Sequence, residues 1–135
     1  MAADPISILM IDDDPEDAFL MKRALARLDA KAQFNHESDG AAFVRGLSDP
    51  NIKLRSIADV FVLDINMPRI NGFDILQRMA ERSDFADIKV IVFSTSETAE
   101  DRSRALHLGA SRFFSKPTSS AALTEFARYI TKAPF

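Results

Sequence analysis

Three short apolar runs, separated by polar stretches, are the strongest pattern along the chain. They are Ile8 to Ile11, Val60 to Leu63 and Val90 to Phe93, and each stops at a polar residue. Their branched and aromatic residues are typical of strands buried on both faces of a sheet. Weaker patterns predict two more strands, near Gln33 to Glu37 and near Ser111 to Ser115. The apolar pattern therefore predicts five strands.

The segments between and after these runs carry apolar residues at helical spacing, so each would lay one apolar stripe on the sheet. The three clearest stripes are Met21, Leu25 and Leu28, then Ile75, Leu76 and Met79, and finally Leu123, Phe126, Ala127 and Ile130. Two further helices are predicted near Gly40 to Leu47 and Glu97 to Leu108. The first helix has a clear start, since Asp14 can cap it and Pro15 suits its first position.

This alternation of five strands and five helices predicts parallel strands joined by right-handed crossovers, with helices on both faces. We expect an α/β, flavodoxin-like doubly wound fold with a five-stranded sheet in the order 2-1-3-4-5. The segment from Ser48 to Ala58 is longer than a usual connection and is expected to be irregular. The 135 residues, 47% of them hydrophobic, are expected to form a single domain over 1–135, with no output domain.

Charge and composition exclude several classes of function. The formal net charge is -3 and the 17 basic residues are scattered among 20 acidic ones, which argues against a nucleic-acid partner. The chain has no cysteine, so neither a disulfide nor a thiolate metal site can form. No apolar run is long enough for a signal peptide or a membrane span. We therefore expect a cytoplasmic protein without a membrane partner.

Polar residues follow the predicted strands where each strand ends. They are Asp12, Asp13 and Asp14 after the first strand, Asp64 after the third, Ser94 after the fourth, and Lys116 with Pro117 after the fifth. In open parallel sheets, ligands bind beyond the carboxyl ends of the strands. Three separated carboxylates, a hydroxyl and an ammonium group are thus predicted to meet at one edge of the sheet.

Such a group of residues predicts phosphate chemistry with a metal ion. Carboxylates within a few ångströms repel each other by roughly 1 to 4 kcal/mol per pair, so a cation must neutralise them. Oxygen ligands without His or Cys indicate Mg²⁺, which also accepts phosphate oxygens. One carboxylate could then attack phosphorus, with Lys116 and Ser94 contacting the phosphoryl oxygens.

The chain resembles the CheY-like receiver domains of two-component systems over nearly its whole length. The matching pieces, in order, are Ile8-Leu9-Met10-Ile11-Asp12-Asp13, Val60-Phe61-Val62-Leu63-Asp64-Ile65-Asn66-Met67-Pro68, Asn71-Gly72, Val90-Ile91-Val92-Phe93-Ser94 and Phe113-Phe114-Ser115-Lys116-Pro117. Taken alone, Asn71-Gly72 is only a turn signal. The pieces together, in this order, are highly specific.

The resemblance implies a phosphoacceptor at Asp64. It also implies that Asp12, Asp13 and Asp64 bind Mg²⁺ together with the backbone carbonyl of Asn66. Asp14 adds a third consecutive acid, so the metal ligands could be shifted by one residue, but its capping position favours Asp12 and Asp13. Such a protein is a signalling phosphoacceptor and not an enzyme, although it assists its own phosphotransfer and dephosphorylation.

The resemblance implies roles for four more residues. Ser94 would be the switch hydroxyl, in place of the commoner Thr, and Lys116 the phosphate contact. Phe113 stands where the family keeps a Tyr or Phe whose ring reorients on activation. A cis peptide bond between Lys116 and Pro117 would aim the lysine at the site.

The resemblance also implies partners. A sensor histidine kinase would donate the phosphoryl group, and the family reports its state through its fourth helix, fifth strand and fifth helix, here Glu97 to Tyr129. Output would come through a partner, through homodimerisation or through a phosphorelay. Asp13-Asp14-Pro15-Glu16-Asp17-Ala18, the long loop before the third strand and Ser94-Thr95-Ser96 resemble the small phytochrome-associated response regulators. This likeness implies a phytochrome as the kinase.

Two other functions and several structural interpretations stay open. The chain could be a pseudo-receiver that acts as a constitutive interaction module, although the intact acidic set argues against it. A haloacid-dehalogenase-like phosphatase would carry Asp-x-Asp-x-Thr after the first strand, and here no Thr follows Asp14 at the second position. A lone acid after a strand is often a helix cap. His36 and His107 have no partner at ligand spacing and are expected to be structural.

Overall fold

The computed structural model describes residues 5–28 and 31–132, and its five strands form one parallel sheet. The strands are β1 (Ile6–Ile11), β2 (Ala32–Glu37), β3 (Val60–Leu63), β4 (Lys89–Ser94) and β5 (Arg112–Ser115). Their order in the sheet is β2-β1-β3-β4-β5. The predicted doubly wound sheet in the order 2-1-3-4-5 is therefore confirmed.

Six α-helices connect or follow the strands in the described part of the chain. They are α1 (Pro15–Ala26), α2 (Gly40–Leu47), α3 (Leu54–Ile57), α4 (Gly72–Ala80), α5 (Ala99–His107) and α6 (Ser120–Ile130). The predicted start of α1 is confirmed, because the Asp14 side chain accepts a hydrogen bond from the Glu16 N–H and Pro15 begins the helix. Not one of the described helices has the length and apolar character needed to cross a bilayer.

The helices cover both faces of the sheet because the strand residues alternate between two cores. Ile8, Met10, Val62 and Ile91 pack with apolar residues of α1 and α6 on one face. On the other face, strand residues such as Phe61 and Val92 pack with α2, α3, α4 and α5. Removing this apolar surface from water stabilises the fold by about 25 cal/mol per Å².

The register of the parallel strands brings the predicted site residues to one edge. Ile11 lies opposite Leu63, and Leu63 lies opposite Val92. Ser94, the last residue of β4, pairs with Ser115, the last residue of β5. The residues just beyond these ends therefore meet at the carboxyl edge of the sheet, as is usual for ligand sites in such folds.

The prediction of five helices and an irregular segment from Ser48 to Ala58 was wrong in part. The four-residue helix α3 lies in that segment, and its Leu54 is fully buried. Arg82 orders the stretch before α3, donating from Nη1 to the Leu47 carbonyl at 2.8 Å and from Nη2 to the Ile52 carbonyl at 2.5 Å. One helical turn is too short to give a periodic apolar pattern, and hydrogen bonds to backbone carbonyls leave no signal in the sequence.

Candidate phosphoacceptor and metal site

Three of the predicted carboxylates form a cluster at the carboxyl edge of the sheet. Each of Asp12, Asp13 and Asp64 offers a carboxylate oxygen, and these oxygens all lie within 4.8 Å of one another. Asp12 and Asp64 are buried, with 0% and 5% of their surface exposed, whereas Asp13 is exposed. The structure thus brings together the acids that follow β1 and β3. Asp14 is used differently, because its side chain caps α1.

The close approach of α4 fixes the position of the chain after β3. The Gly72 N–H donates to the Ile65 carbonyl at 3.2 Å, and the Asn71 side chain caps α4 by accepting from the Phe73 N–H. A Cβ atom on Gly72 would overlap the Asp64 carbonyl oxygen and the Ile65 Cα atom. Glycine is therefore required here. Asn71-Gly72 does more than make a turn, because it lets α4 begin in direct contact with the backbone of Asp64, the predicted phosphoacceptor.

Two hydrogen bonds hold Asp12 in place, one to its side chain and one to its backbone carbonyl. Its Oδ1 atom accepts from the Asp14 N–H at 2.9 Å. The His36 ring contacts the Asp12 backbone carbonyl through Nε2 at 2.6 Å, and Nε2 must be the protonated nitrogen because a carbonyl only accepts. His36 is therefore structural, as predicted, but it supports the strand end that carries the acids.

The other Asp12 oxygen pairs with Lys116. Oδ2 is buried and lies 3.0 Å from Lys116 Nζ, and among the described residues it has no further polar partner. Burial raises the pKa of Asp12 to about 6, and the nearby Asp64 acts in the same direction. The Asp14 N–H and Lys116 lower the pKa and offset part of that effect. A buried carboxylate needs a positive charge nearby, and here Lys116 supplies one where a metal cation could supply another.

Lys116 joins the acidic cluster from the end of β5. Its Nζ atom lies 3.3 Å from Asp64 Oδ2 and 2.6 Å from Asp17 Oδ2. Burial lowers the pKa of the ammonium, but the contacts with Asp17 and Asp12 outweigh it and hold the pKa above its ordinary value. Lys116 is therefore a fixed positive charge. In the sequence Asp17 stands out only as part of the segment Asp13 to Ala18, and no local pattern predicts its pairing with Lys116.

Ser94 lies beside these residues and is fully buried. Its Oγ atom accepts from Asn66 Nδ2 at 2.9 Å and from the Ser96 N–H at 3.1 Å, which leaves its single O–H for a donated bond. The Lys116 N–H donates to the Ser94 backbone carbonyl at 2.8 Å and ties the ends of β4 and β5 together. The link from the Asn66 amide to Ser94 was not predicted.

Phe113 packs in the core on the face of α5. Its ring is 4% exposed, and the Arg102 guanidinium lies 5.2 Å from the ring centroid. Reorientation of this ring stays a prediction, as do the cis form of the Lys116–Pro117 bond and the metal role of the Asn66 carbonyl.

The donor set of the acidic cluster fits a hard divalent cation. Its members supply oxygen atoms only, and His36, the nearby imidazole, contacts a backbone carbonyl instead. Mg²⁺ prefers one or two protein carboxylates and keeps its remaining positions for water or phosphate oxygens. The exposed Asp13 leaves the cluster open toward solvent on one side, where a phosphoryl donor can approach.

Comparisons with known proteins agree with this arrangement. The family model described as the response regulator receiver domain matches residues 8–128. The probable methanogenesis regulatory protein FilR2 of Methanothrix harundinacea is 29% identical over 87% of this chain and 76% of its own length. The two-component response regulator ARR9 of Arabidopsis thaliana is also 29% identical, over 93% of this chain. The chain spans only 59% of the length of ARR9.

Solved structures share the fold. The phosphorylated cyanobacterial phytochrome response regulator RcpA has a TM-score of 0.80 at 22% identity, over 94% of this chain and 91% of its own. The Mn²⁺-bound form of response regulator Rcp1 has a TM-score of 0.80 at 20% identity, over 97% and 98% of the two chains. These two structures show the fold, and the family match over residues 8–128 shows that this chain belongs to the response regulator receiver domain family.

Proposed function

We propose that this chain is a response regulator that accepts a phosphoryl group from a sensor histidine kinase on Asp64. The observation that carries the proposal is that the buried Asp64 carboxylate lies close both to the other two acids and to Lys116. Its Oδ1 atom accepts from the Asn66 N–H at 2.9 Å, and its Oδ2 atom lies 3.3 Å from Lys116 Nζ. Membership of the receiver family supports the same assignment.

In the proposed reaction, an Asp64 oxygen attacks phosphorus, and the P–N bond to the donor histidine breaks as the new P–O bond forms. Asp12, Asp13 and Asp64, with the Asn66 carbonyl, would hold Mg²⁺, which offsets charge on the phosphoryl oxygens when bound. Lys116 contributes a second positive charge on the side of β5. Burial of Asp12 and Asp64 strengthens these charge interactions, since water screens them little there.

The proposed switch begins at Ser94. A phosphoryl group on Asp64 adds about -1.5 to -2 charge units at neutral pH, and the Ser94 O–H would donate to one of its oxygens. A shift of the Ser94 side chain toward the phosphoryl group would change the hydrogen bonds that Ser94 accepts from Asn66 and Ser96. The resulting structural change would pass through β5 to the ring of Phe113. The reporting surface would then be α5, β5 and α6.

The partners follow from the same proposal. A phytochrome-type histidine kinase is the proposed donor, supported by the likeness of the fold to the phytochrome response regulator RcpA. Output would pass through a protein partner, a homodimer or a phosphorelay. A cytoplasmic location stays a prediction from the sequence.

Incubation with acetyl phosphate and MgCl₂, followed by intact mass measurement, tests the proposal. We expect one phosphoryl group per chain, and none when EDTA replaces MgCl₂. No mass gain on the wild-type chain would indicate an interaction module instead. Free phosphate released from a phosphomonoester in excess of protein would indicate a phosphatase.

A further inference from the structure

The shortest polar contact of Lys116 Nζ is with a residue outside the acidic cluster. Asp17 Oδ2 lies 2.6 Å from this atom, closer than Asp12 Oδ2 at 3.0 Å and Asp64 Oδ2 at 3.3 Å. Both partners are largely buried, since 13% of the Lys116 side chain and 26% of the Asp17 side chain are exposed. Limited exposure to water makes such a contact stronger than a surface ion pair.

Local structure explains how Asp17 reaches the lysine. Asp14 and Pro15 fix the start of α1 directly after β1, and Asp17 follows in the first turn. Side chains on a helix lean toward its N-terminus, so a first-turn residue points back toward the strand ends. Asp17 therefore faces the site from α1, while Lys116 enters from β5 on the same edge.

A divalent cation would change how strongly each carboxylate around Lys116 attracts the ammonium group. Asp12 and Asp64, whose Oδ2 atoms lie near the ammonium, are both members of the cluster that fits the cation, so a bound cation would attract their charge and repel the lysine. Asp17 lies outside that cluster and keeps its full charge for Lys116.

We propose that Asp17 is the positioning residue of Lys116, holding the ammonium at the edge of the site when a divalent cation occupies Asp12 and Asp64. The inference rests on the proposed phosphotransfer, because it gives Lys116 a phosphoryl group to contact. By attracting the ammonium, Asp17 also reduces the competition between Lys116 and the cation for the carboxylates of Asp12 and Asp64. Asp17 thus acts on the reaction only through Lys116.

A double-mutant cycle tests this role. Misplacing a reacting group slightly can cost up to about 10²-fold in rate, and we expect Asp17→Asn to slow phosphorylation by acetyl phosphate about tenfold at saturating MgCl₂. Glu16→Gln is the matched control, since it removes one charge from the same helical turn at a side chain that makes no ion pair with the lysine, and it should leave the rate unchanged. In the Lys116→Ala background, Asp17→Asn should have no further effect.

A second measurement uses the metal alone and does not depend on phosphotransfer. We expect Asp17→Asn to weaken Mg²⁺ binding severalfold in calorimetric titration, and to leave it unchanged when Lys116 is already Ala. Asp17→Glu, which keeps the carboxylate, should restore part of the loss. Thermal unfolding of each variant shows whether it is folded.

The two arms separate the failure of this inference from the failure of the proposed function. Equal effects of Asp17→Asn with and without Lys116, or an equal effect of Glu16→Gln, would overturn the positioning role. A wild-type chain that takes up no phosphoryl group would overturn the proposed function, and the Mg²⁺ titration would still decide whether Asp17 controls Lys116.

Discussion

At the scale of single residues, the buried carboxyl group of Asp12 determines how the site responds to pH. Its pKa is raised to about 6, chiefly because burial disfavours the charged form. In the metal-free protein the folded state therefore retains the proton to a higher pH than the unfolded state. Ionisation of Asp12 costs stability as pH rises through this range, and a metal ligand must be ionised to bind.

We predict that Mg²⁺ affinity falls by about tenfold for each pH unit below about pH 6, because each bound cation must then displace one proton from Asp12. Well above that pH the carboxylate is already ionised and the affinity should change little. Calorimetric titration with MgCl₂ across this range measures the dependence. An affinity that stays constant well below pH 6 would show that Asp12 is ionised throughout and would contradict the raised pKa.

At the scale of elements, the contact between α4 and the end of β3 fixes the position of Asp64. Gly72 begins α4 directly against the Asp64 carbonyl oxygen, where a side chain has no room. The overlap is with backbone atoms, which cannot rotate away as a flexible side chain can. Any larger residue must therefore move the helix or the strand end.

We predict that Gly72→Ala lowers the free energy of unfolding by about 3 kcal/mol, the upper end of the usual cost of overpacking, and weakens Mg²⁺ binding by displacing Asp64. Gly46→Ala is the matched control, because Gly46 lies in α2 with open space around it and should gain about 0.5–1 kcal/mol. Urea unfolding of both variants gives the comparison. Equal stability changes in the two variants would mean that the close contact at Gly72 does not exclude a side chain.

Elements also show where sequence reasoning reached its limit. The apolar runs of β1, β3 and β4 and the cap of α1 were predictable because hydrophobic patterning and capping follow from local chemistry. The short helix α3 was not predicted, because tertiary contacts specify it: Leu54 is buried and its N–H bonds to Asp84, which Arg82 holds at 3.0 Å. Such partners are distant in sequence, and no local pattern encodes them.

At the scale of the whole molecule, the order of the strands is what assembles the site. The acids follow β1 and β3, which are neighbours in the sheet, and Lys116 reaches them from β5 at the edge. The sequence predicted which residues would meet, because strand ends and parallel topology place them together. It did not predict Asp17 or the Asn66 side chain, whose contacts depend on side-chain directions across different elements.

We propose that Asp64, and no other acid of the site, accepts the phosphoryl group. Borohydride converts an aspartyl phosphate to homoserine, so reduction after phosphorylation, trypsin digestion and peptide sequencing by mass spectrometry identify the residue. Cleavage at Arg55 and Arg69 places Asp64 in the peptide of residues 56–69, apart from Asp12, Asp13 and Asp17. We predict homoserine at position 64 alone, and none after treatment of Asp64→Asn. Homoserine at position 12, 13 or 17 of the wild-type chain would contradict the account.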